Sequence, residues 1–507
     1  MNRAAPDRDR SIALGLFLLT WLVSVYFWGG GGWAQNSHFA LTRALVVSRS
    51  VFIEPWVDTT GDVSIVNGRA VTNKAPGLSM LGAIPYALAR AVVPGEDEGT
   101  VVTLRAWLTN ALSNALLGAI VAPLLYLYAR RSALSRGAAL AIALGIFLGT
   151  PLLPYATVFF LHTCSGALML LAVVLLLGSS RRGAFGAGVA GGAAALTNYL
   201  FLPAVPLLVL FGAGWEEERW RWRGSRGVKA GALVAAGAAV PLALFAAYQY
   251  AATGRVFELP LNENAQFTTR SGLFGLIEMP DPAVFAAITI SPYRGLFYLA
   301  PVLLLSVFGI VAMLRAREYA LLLLILANLA VFFGFNVTFN GWEGGFGIGP
   351  RYLVPIVPLL GMLIVRGWSS IRPWLFAILL AVSLANNLAA TAVDPTPSAS
   401  IPAPLGDYVY PLLLTGTWEP ATPMHPLWRP ELLAGHTSVS RHTIDEKLPF
   451  QKERPGSPAA EWAAFNLGEV LFGPGSAGSL LPLAVLLITG CGALGVLARN
   501  EATRSSR

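Results

Sequence analysis

The chain is predicted to be an all-α polytopic membrane protein, on three observations. Of its 507 residues 55% are hydrophobic and only 12% are charged, about half the charge of a soluble domain. Apolar runs of roughly 17–25 residues recur from end to end, the length a helix needs to cross a bilayer with its backbone groups bonded internally. Basic residues cluster between alternate runs, as they do on the cytoplasmic side of membrane proteins. The net charge of +8 follows from those clusters and calls for no nucleic-acid partner.

The elements can be laid down in order. Arg3, Arg8 and Arg10 precede the first span, about 11–30, and put the N-terminus inside. No small-residue cleavage site follows, so this helix is expected to be retained. The basic group Arg130, Arg131 and Arg136 must also lie inside, which leaves one crossing between residue 31 and Arg130. The longer, cleaner run 101–128 takes it. The run 75–93, with Pro76, Gly77, Gly82, Pro85 and Arg90, is read as a helix lying in the outer interface. Further spans are expected at about 137–154, 163–179, 183–199, 200–214, 230–251, 295–314, 319–337, 352–365, 373–392 and 478–498. That gives about twelve, with both termini cytoplasmic. Residues 1–392 would form the helical catalytic part, with the first outer loop at about 31–100. Residues 393–477 would form an outer segment or small module, and 478–507 the last helix and tail.

The polar insert from Trp33 to Gly77 holds Glu54, Asp58, Asp62, Arg69 and Lys74. Charge beside a membrane span is costly unless it is used. Asp58 and Asp62 in DTTGD are candidates for a general base, which must sit near an acceptor hydroxyl; solvated turn-forming acids are the plainer reading. Lys74 in TNKAPG suits a substrate phosphate as a point charge, or a lipid headgroup reached by snorkelling. Arg351 in GFGIGPRYL and Arg294 in SPYRGLFY begin helices on the arginine-poor side, and their forked groups suit phosphate or carboxylate. Both could instead pair internally, with Glu343 or Asp281. Glu343 in NGWEGG and His162 in VFFLHTCSG are further substrate-binding candidates, for each of which a structural role is the plainer reading. Asn262 and Glu263 in LNENAQF fit sugar recognition or an ordinary loop.

Several chemistries have no signal. There is no P-loop, dinucleotide fingerprint or helix with paired metal-binding histidines, and no nucleophile elbow. His425, His436 and His442 are spaced too loosely for a metal claim. Cys164 and Cys491 fall inside apolar runs, against a disulfide framework or zinc site. No cofactor and no metal are expected.

The arrangement resembles the GT-C superfamily of integral membrane glycosyltransferases. Within it, the chain is most similar to the branch of the protein mannosyltransferases and the lipid A aminoarabinose transferase. The resemblance spans about 11–392 and is carried by WAQNSHFALTRAL, NGRAVTNKAPGLSML and GFGIGPRYLVPIVPLL. It implies juxtamembrane helices in the first extracytoplasmic loop, a catalytic carboxylate there, and a lysine near the loop's end that contacts a lipid-linked phosphate. Lys74 matches that lysine in context. The family's acidic pair after the first span is replaced here by Gln35-Asn36-Ser37-His38. The base has therefore moved to Asp58 or Asp62, or the acceptor or mechanism differs, or activity is lost.

The resemblance implies transfer of a sugar from a polyprenyl-phosphate donor to an extracytoplasmic lipid, glycan or protein acceptor, with inversion. The setting would be a bacterial-type inner membrane, with membrane lipids as neighbours. A lipid or sugar transporter or flippase, a polyprenyl-diphosphate-glycan ligase or polymerase, and a non-catalytic binding protein are the alternatives. The outer position of the charged residues favours an enzyme over a transporter, which would place them near the midplane.

Overall fold

The computed structural model describes residues 4–96, 99–216, 219–220, 224–258, 260, 276–416, 464–473 and 476–499. Among them the chain is almost wholly helical, and its few strands form two-stranded pairs. Six helices are long and apolar enough to cross a membrane: Gly99–Arg131, Gly224–Thr253, Tyr319–Thr338, Arg351–Ser370, Pro373–Val393 and Gly478–Arg499. Shorter apolar helices add Arg136–Leu148, Leu161–Leu177, Tyr199–Gly214 and Pro301–Arg315. The chain is a polytopic helical membrane protein.

Helix α1 (Ala4–Tyr26) packs against the last described helix, Leu481–Arg499. Gly15 lies directly under Leu494, and Gly490 under Leu19. Small residues drive another close pair. A side chain at Gly188 or Gly237 would strike the backbone of the facing helix, so Arg181–Thr197 and Gly224–Thr253 are held backbone to backbone.

The insert after α1 folds as α2 (Trp33–Arg43), a π-helical turn Ala44–Ser48, a 3-10 stretch Glu54–Thr59 and a hairpin of Val63–Val66 with Arg69–Thr72. It ends in α3 (Gly77–Val92), a helix over the expected run 75–93. The hairpin turns on Asn67 and Gly68, both at positive φ, as a two-residue turn of this hand requires. Helix α3 buries Leu78, Gly82, Tyr86 and Ala89 and leaves Leu81, Ile84, Leu88 and Val92 exposed along one stripe.

The expected crossing 101–128 is one run with a break at Ser113, whose backbone leaves the helical region. The break is used. Asn114 donates to the carbonyls of Tyr155 and Val158 at 2.9 and 2.8 Å, and Asn110 to that of Ala156 at 2.9 Å. These amides anchor the non-helical link from Thr157 to Phe160 that leads into Leu161–Leu177. The expected run 137–154 is likewise interrupted, at Gly149–Pro151, between Arg136–Leu148 and Leu152–Ala156. The expected 295–314 is divided into Leu296–Leu299, Pro301–Leu305 and Ser306–Arg315, broken where Pro301 removes a donor.

Of the segment 393–477, residues 395–409 fold back over the loop before Arg351. Pro395 and Pro397 accept from Ile348 and Gly347, and Tyr293 donates to the Ala399 carbonyl. The far end returns as Phe465–Asn466, paired with Phe27–Trp28. His425, His436 and His442, and Asn262 and Glu263, lie outside the described residues.

Candidate active site

The hairpin register builds the centre of the site. Val63 pairs with Thr72, so the residues just beyond, Asp62 and Asn73, stand side by side with Lys74 next along. The Asn73 amide donates to Asp62 Oδ1 at 3.1 Å, and the Lys74 ammonium reaches the same oxygen at 2.9 Å. Both charged side chains are largely buried, 8% exposed for Asp62 and 18% for Lys74.

Helix α2 holds that hairpin in place. Asn36 donates to the Thr59 carbonyl at 2.8 Å, Ser37 to the Asp62 carbonyl at 2.6 Å, and Thr60 back to the Trp33 carbonyl at 2.6 Å. Gln35-Asn36-Ser37-His38 therefore brings no carboxylate of its own. Two of its side chains clamp the turn that delivers Asp62. Lys74 is fixed in turn through its backbone, which donates to the Thr72 hydroxyl and accepts from Tyr199.

Burial by itself pushes the Asp62 carboxyl up, but the Lys74 ammonium, the Asn73 amide and the Arg351 guanidinium outweigh it and hold the group below the usual carboxylate range. His38 is fully buried on α2. Burial and the nearby Lys74 charge push its imidazole down to about 3, although Asp62 pulls the other way.

A second set of residues closes on the first. The Arg351 guanidinium lies 5.1 Å from the ring centres of both Phe160 and Tyr352 and donates to the Tyr352 hydroxyl. Its Nε has no partner among the described residues. The glycines before it are needed for this packing. At Gly344, φ is +72° and a side chain would meet the Arg351 stem; at Gly347 one would strike the Tyr155 hydroxyl. His162 stands edge-on to Phe160 at 4.4 Å and to Tyr155 at 5.5 Å.

The sequence candidates are sorted by this geometry. Asp62, Lys74, Arg351 and His162 are gathered in one cluster, with Asp62 and His162 buried and the two cations partly so. Arg294 lies alongside, fully buried, donating to the Gly345 carbonyl at 2.7 Å with its Nε and Nη1 unpartnered among the described residues. Glu343 is half-buried in the same loop region, near enough to Tyr293 to act on its hydroxyl. Asp281 caps the helix Pro282–Thr289. Asp58 falls in the 3-10 stretch Glu54–Thr59, and its side chain lies outside the described residues. The insert's charges do not act as one group: Glu54 and Arg69 form a separate exposed pair at 2.6 Å.

Sequence reasoning did not single out His38, Asn73, Tyr155 or Phe160. One signal was available. The Asn67-Gly68 turn between alternating residues marks a hairpin, and counting outward from it puts residue 62 opposite residue 73. Among the described residues no group of three His, Cys, Asp or Glu side chains is close enough to hold a metal ion.

No protein-family model matches the chain, and no curated protein is significantly similar to it. Solved structures do show likeness. To ArnT from Cupriavidus metallidurans bound to undecaprenyl phosphate, the chain is 17% identical with a TM-score of 0.46, over 75% of this chain and 63% of that one. For the same protein in the apo state the values are 18%, 0.47, 81% and 65%. For the archaeal oligosaccharyltransferase AglB from Archaeoglobus fulgidus, in complex with an inhibitory peptide and a dolichol phosphate, they are 13%, 0.42, 76% and 56%. The chain thus spans less than two thirds of the length of each.

Proposed function

We propose that the chain is a membrane glycosyltransferase that moves a sugar from a polyprenyl-phosphate donor to an acceptor hydroxyl, with the site on the extracytoplasmic side. One observation carries the reading: a buried carboxylate and a largely buried lysine share a hydrogen bond beside further cations. Lys74 Nζ is 2.9 Å from Asp62, and Arg351 is near enough to act on the same carboxyl.

The chemistry follows from the charges. A sugar–phosphate–lipid diester carries one negative charge; the monoester left after transfer carries nearly two at neutral pH. Lys74 and Arg351, with Arg294 behind them, are preorganised to stabilise that developing charge. The acceptor oxygen attacks the anomeric carbon, and the bond to the phosphate oxygen breaks with its electron pair on the leaving group. Asp62 takes the acceptor's proton. Attack opposite the leaving group inverts the anomeric carbon.

The Lys74–Asp62 pair gives this sequence an order. While Lys74 holds Asp62 the carboxylate is a poor base. A donor phosphate competes for the lysine, and the released carboxylate, still buried, becomes more basic. Donor binding thereby arms the base.

The test is a transfer assay using purified protein in lipid nanodiscs, labelled polyprenyl-phosphate sugars and an extract of envelope acceptors. Asp62→Asn and Lys74→Ala should each lower turnover by about 10²–10⁴-fold, and Asp58→Asn should leave it near normal. Near-normal rates in both the Asp62 and Lys74 variants would end this assignment.

A further inference from the structure

We propose that His38 and His162 form an uncharged subsite that hydrogen-bonds the hydroxyls of a neutral sugar carried on the lipid phosphate. The inference rests on the reading above and names the class of sugar for it.

Both imidazoles are buried, 0% exposed for His38 and 2% for His162. All four ring nitrogens lack a hydrogen-bond partner among the described residues. Two fully unpartnered histidines side by side are not what packing alone selects, since a buried polar group without a partner weakens the fold. The two share one neighbour: Phe160 lies 6.1 Å from the His38 ring and 4.4 Å from that of His162. Tyr155 and Tyr352 stand edge-on to His162 at 5.5 and 6.1 Å. The pair also adjoins the cations assigned to phosphate. Lys74 acts on both imidazoles and Arg351 on His162.

That setting dictates the ligand. A neutral imidazole offers one donor and one acceptor, the same combination a sugar hydroxyl presents in return. Aromatic walls suit the apolar face of a sugar ring. Lys74 and Arg351, with Arg294 behind them, outnumber the Asp62 carboxylate and the single charge of the donor phosphate, so a protonated amino sugar is disfavoured. Phe160 packs against both imidazoles, so the sugar enters by displacing that ring.

The experiment measures equilibrium binding to the full chain in nanodiscs. The probes are undecaprenyl phosphate, its mannosyl, glucosyl and arabinosyl conjugates, and its aminoarabinosyl conjugate. The wild type should bind at least one neutral conjugate about tenfold more tightly than the bare lipid phosphate, the gain from one or two hydrogen bonds. His38→Phe and His162→Phe should abolish that gain, leave bare lipid phosphate within about twofold, and raise Tm. His38→Gln should recover part of the gain. If His38→Phe does not fold, His38→Leu and His162→Phe carry the same comparison. Neutral conjugates bound no better than bare lipid, Phe variants that keep the gain, or an amino sugar bound as tightly as a neutral one would each overturn the subsite and leave the phosphate reading standing. Failure of bare lipid phosphate to bind, or no loss of its affinity in Lys74→Met, would remove both.

Discussion

Two acidic nodes sit at opposite ends of α1, and they are built on different rules. Near its start Asp9 accepts from Tyr126 at 2.7 Å and Arg136 at 2.7 Å, with Arg130 beside it at 3.4 Å. Beyond its other end Asp62 is met by Lys74 and Asn73, and around it lie two histidines and two arginines with nitrogens that have no partner among the described residues. The first node is a knot: the carboxylate is surrounded by donors and ties α1 to Val121–Arg131 and Arg136–Leu148. The second is buried more deeply yet leaves several polar atoms unused. Buried polar atoms are normally satisfied, and local rules tend to be broken at functional sites. The contrast separates a fastening from a site, although both look like an acid among cations.

The largest expected effect breaks the comparison if it fails. Lys74→Met should abolish most transfer, whereas Asp9→Asn should lower thermal stability and leave turnover per folded molecule within about twofold. Lys74→Met also strands a buried carboxylate, which costs about 3–5 kcal/mol when a buried pair is broken. Adding Asp62→Asn to that variant should restore much of the stability and none of the activity. Thermal melts beside the transfer assay decide this. Equal losses of activity from the Asp9 and Lys74 variants would erase the distinction.

A subtler difference lies in pH. In the resting site Lys74 and its neighbours hold Asp62 below the ordinary carboxylate range. The acid limb of kcat/KM reports the free enzyme and should fall only below that range. The limb of kcat reports the donor complex, where Lys74 has turned to the phosphate, and should lie at higher pH. Coincident limbs would show that the donor does not release Asp62. The same depressed value means that Asp62 stabilises the fold above the unfolded carboxylate pKa, and that this contribution is lost as pH falls through the folded value.

Much of the fold was legible because membrane helices announce themselves by length and apolar content. The expected 230–251, 319–337 and 373–392 are the helices Gly224–Thr253, Tyr319–Thr338 and Pro373–Val393. Breaks at Ser113 and at Gly149–Pro151 were not legible, because side chains satisfy the freed backbone groups, Trp21 at the Ala111 carbonyl and Asn387 at that of Gly149. The site was partly legible. Lys74 stood out by its context, and Arg351 and Arg294 by falling on the side expected to be poor in arginine. Placing Asp62 beside Asn73 and Lys74 required the hairpin register. His38 was hidden because its burial depends on which face of α2 meets Phe160, and that is set by residues more than a hundred positions away.

The smallest effect sharpens the comparison from within the insert itself. Glu54 and Arg69 pair at 2.6 Å, closer than Asp62 and Lys74, and Arg69 stacks over Phe52 at 3.8 Å. Distance alone would rank this the stronger pair. Exposure reverses the ranking: the side chains are 41% and 53% exposed, so water and salt screen the attraction. Glu54→Gln should change stability by less than about 1 kcal/mol, less still at high salt, and should leave transfer unchanged. The measurement is a pair of melts at low and high ionic strength beside the transfer assay. A loss of turnover in Glu54→Gln matching that of Asp62→Asn would mean that the insert's charges act as one body and that burial does not decide which of them matter.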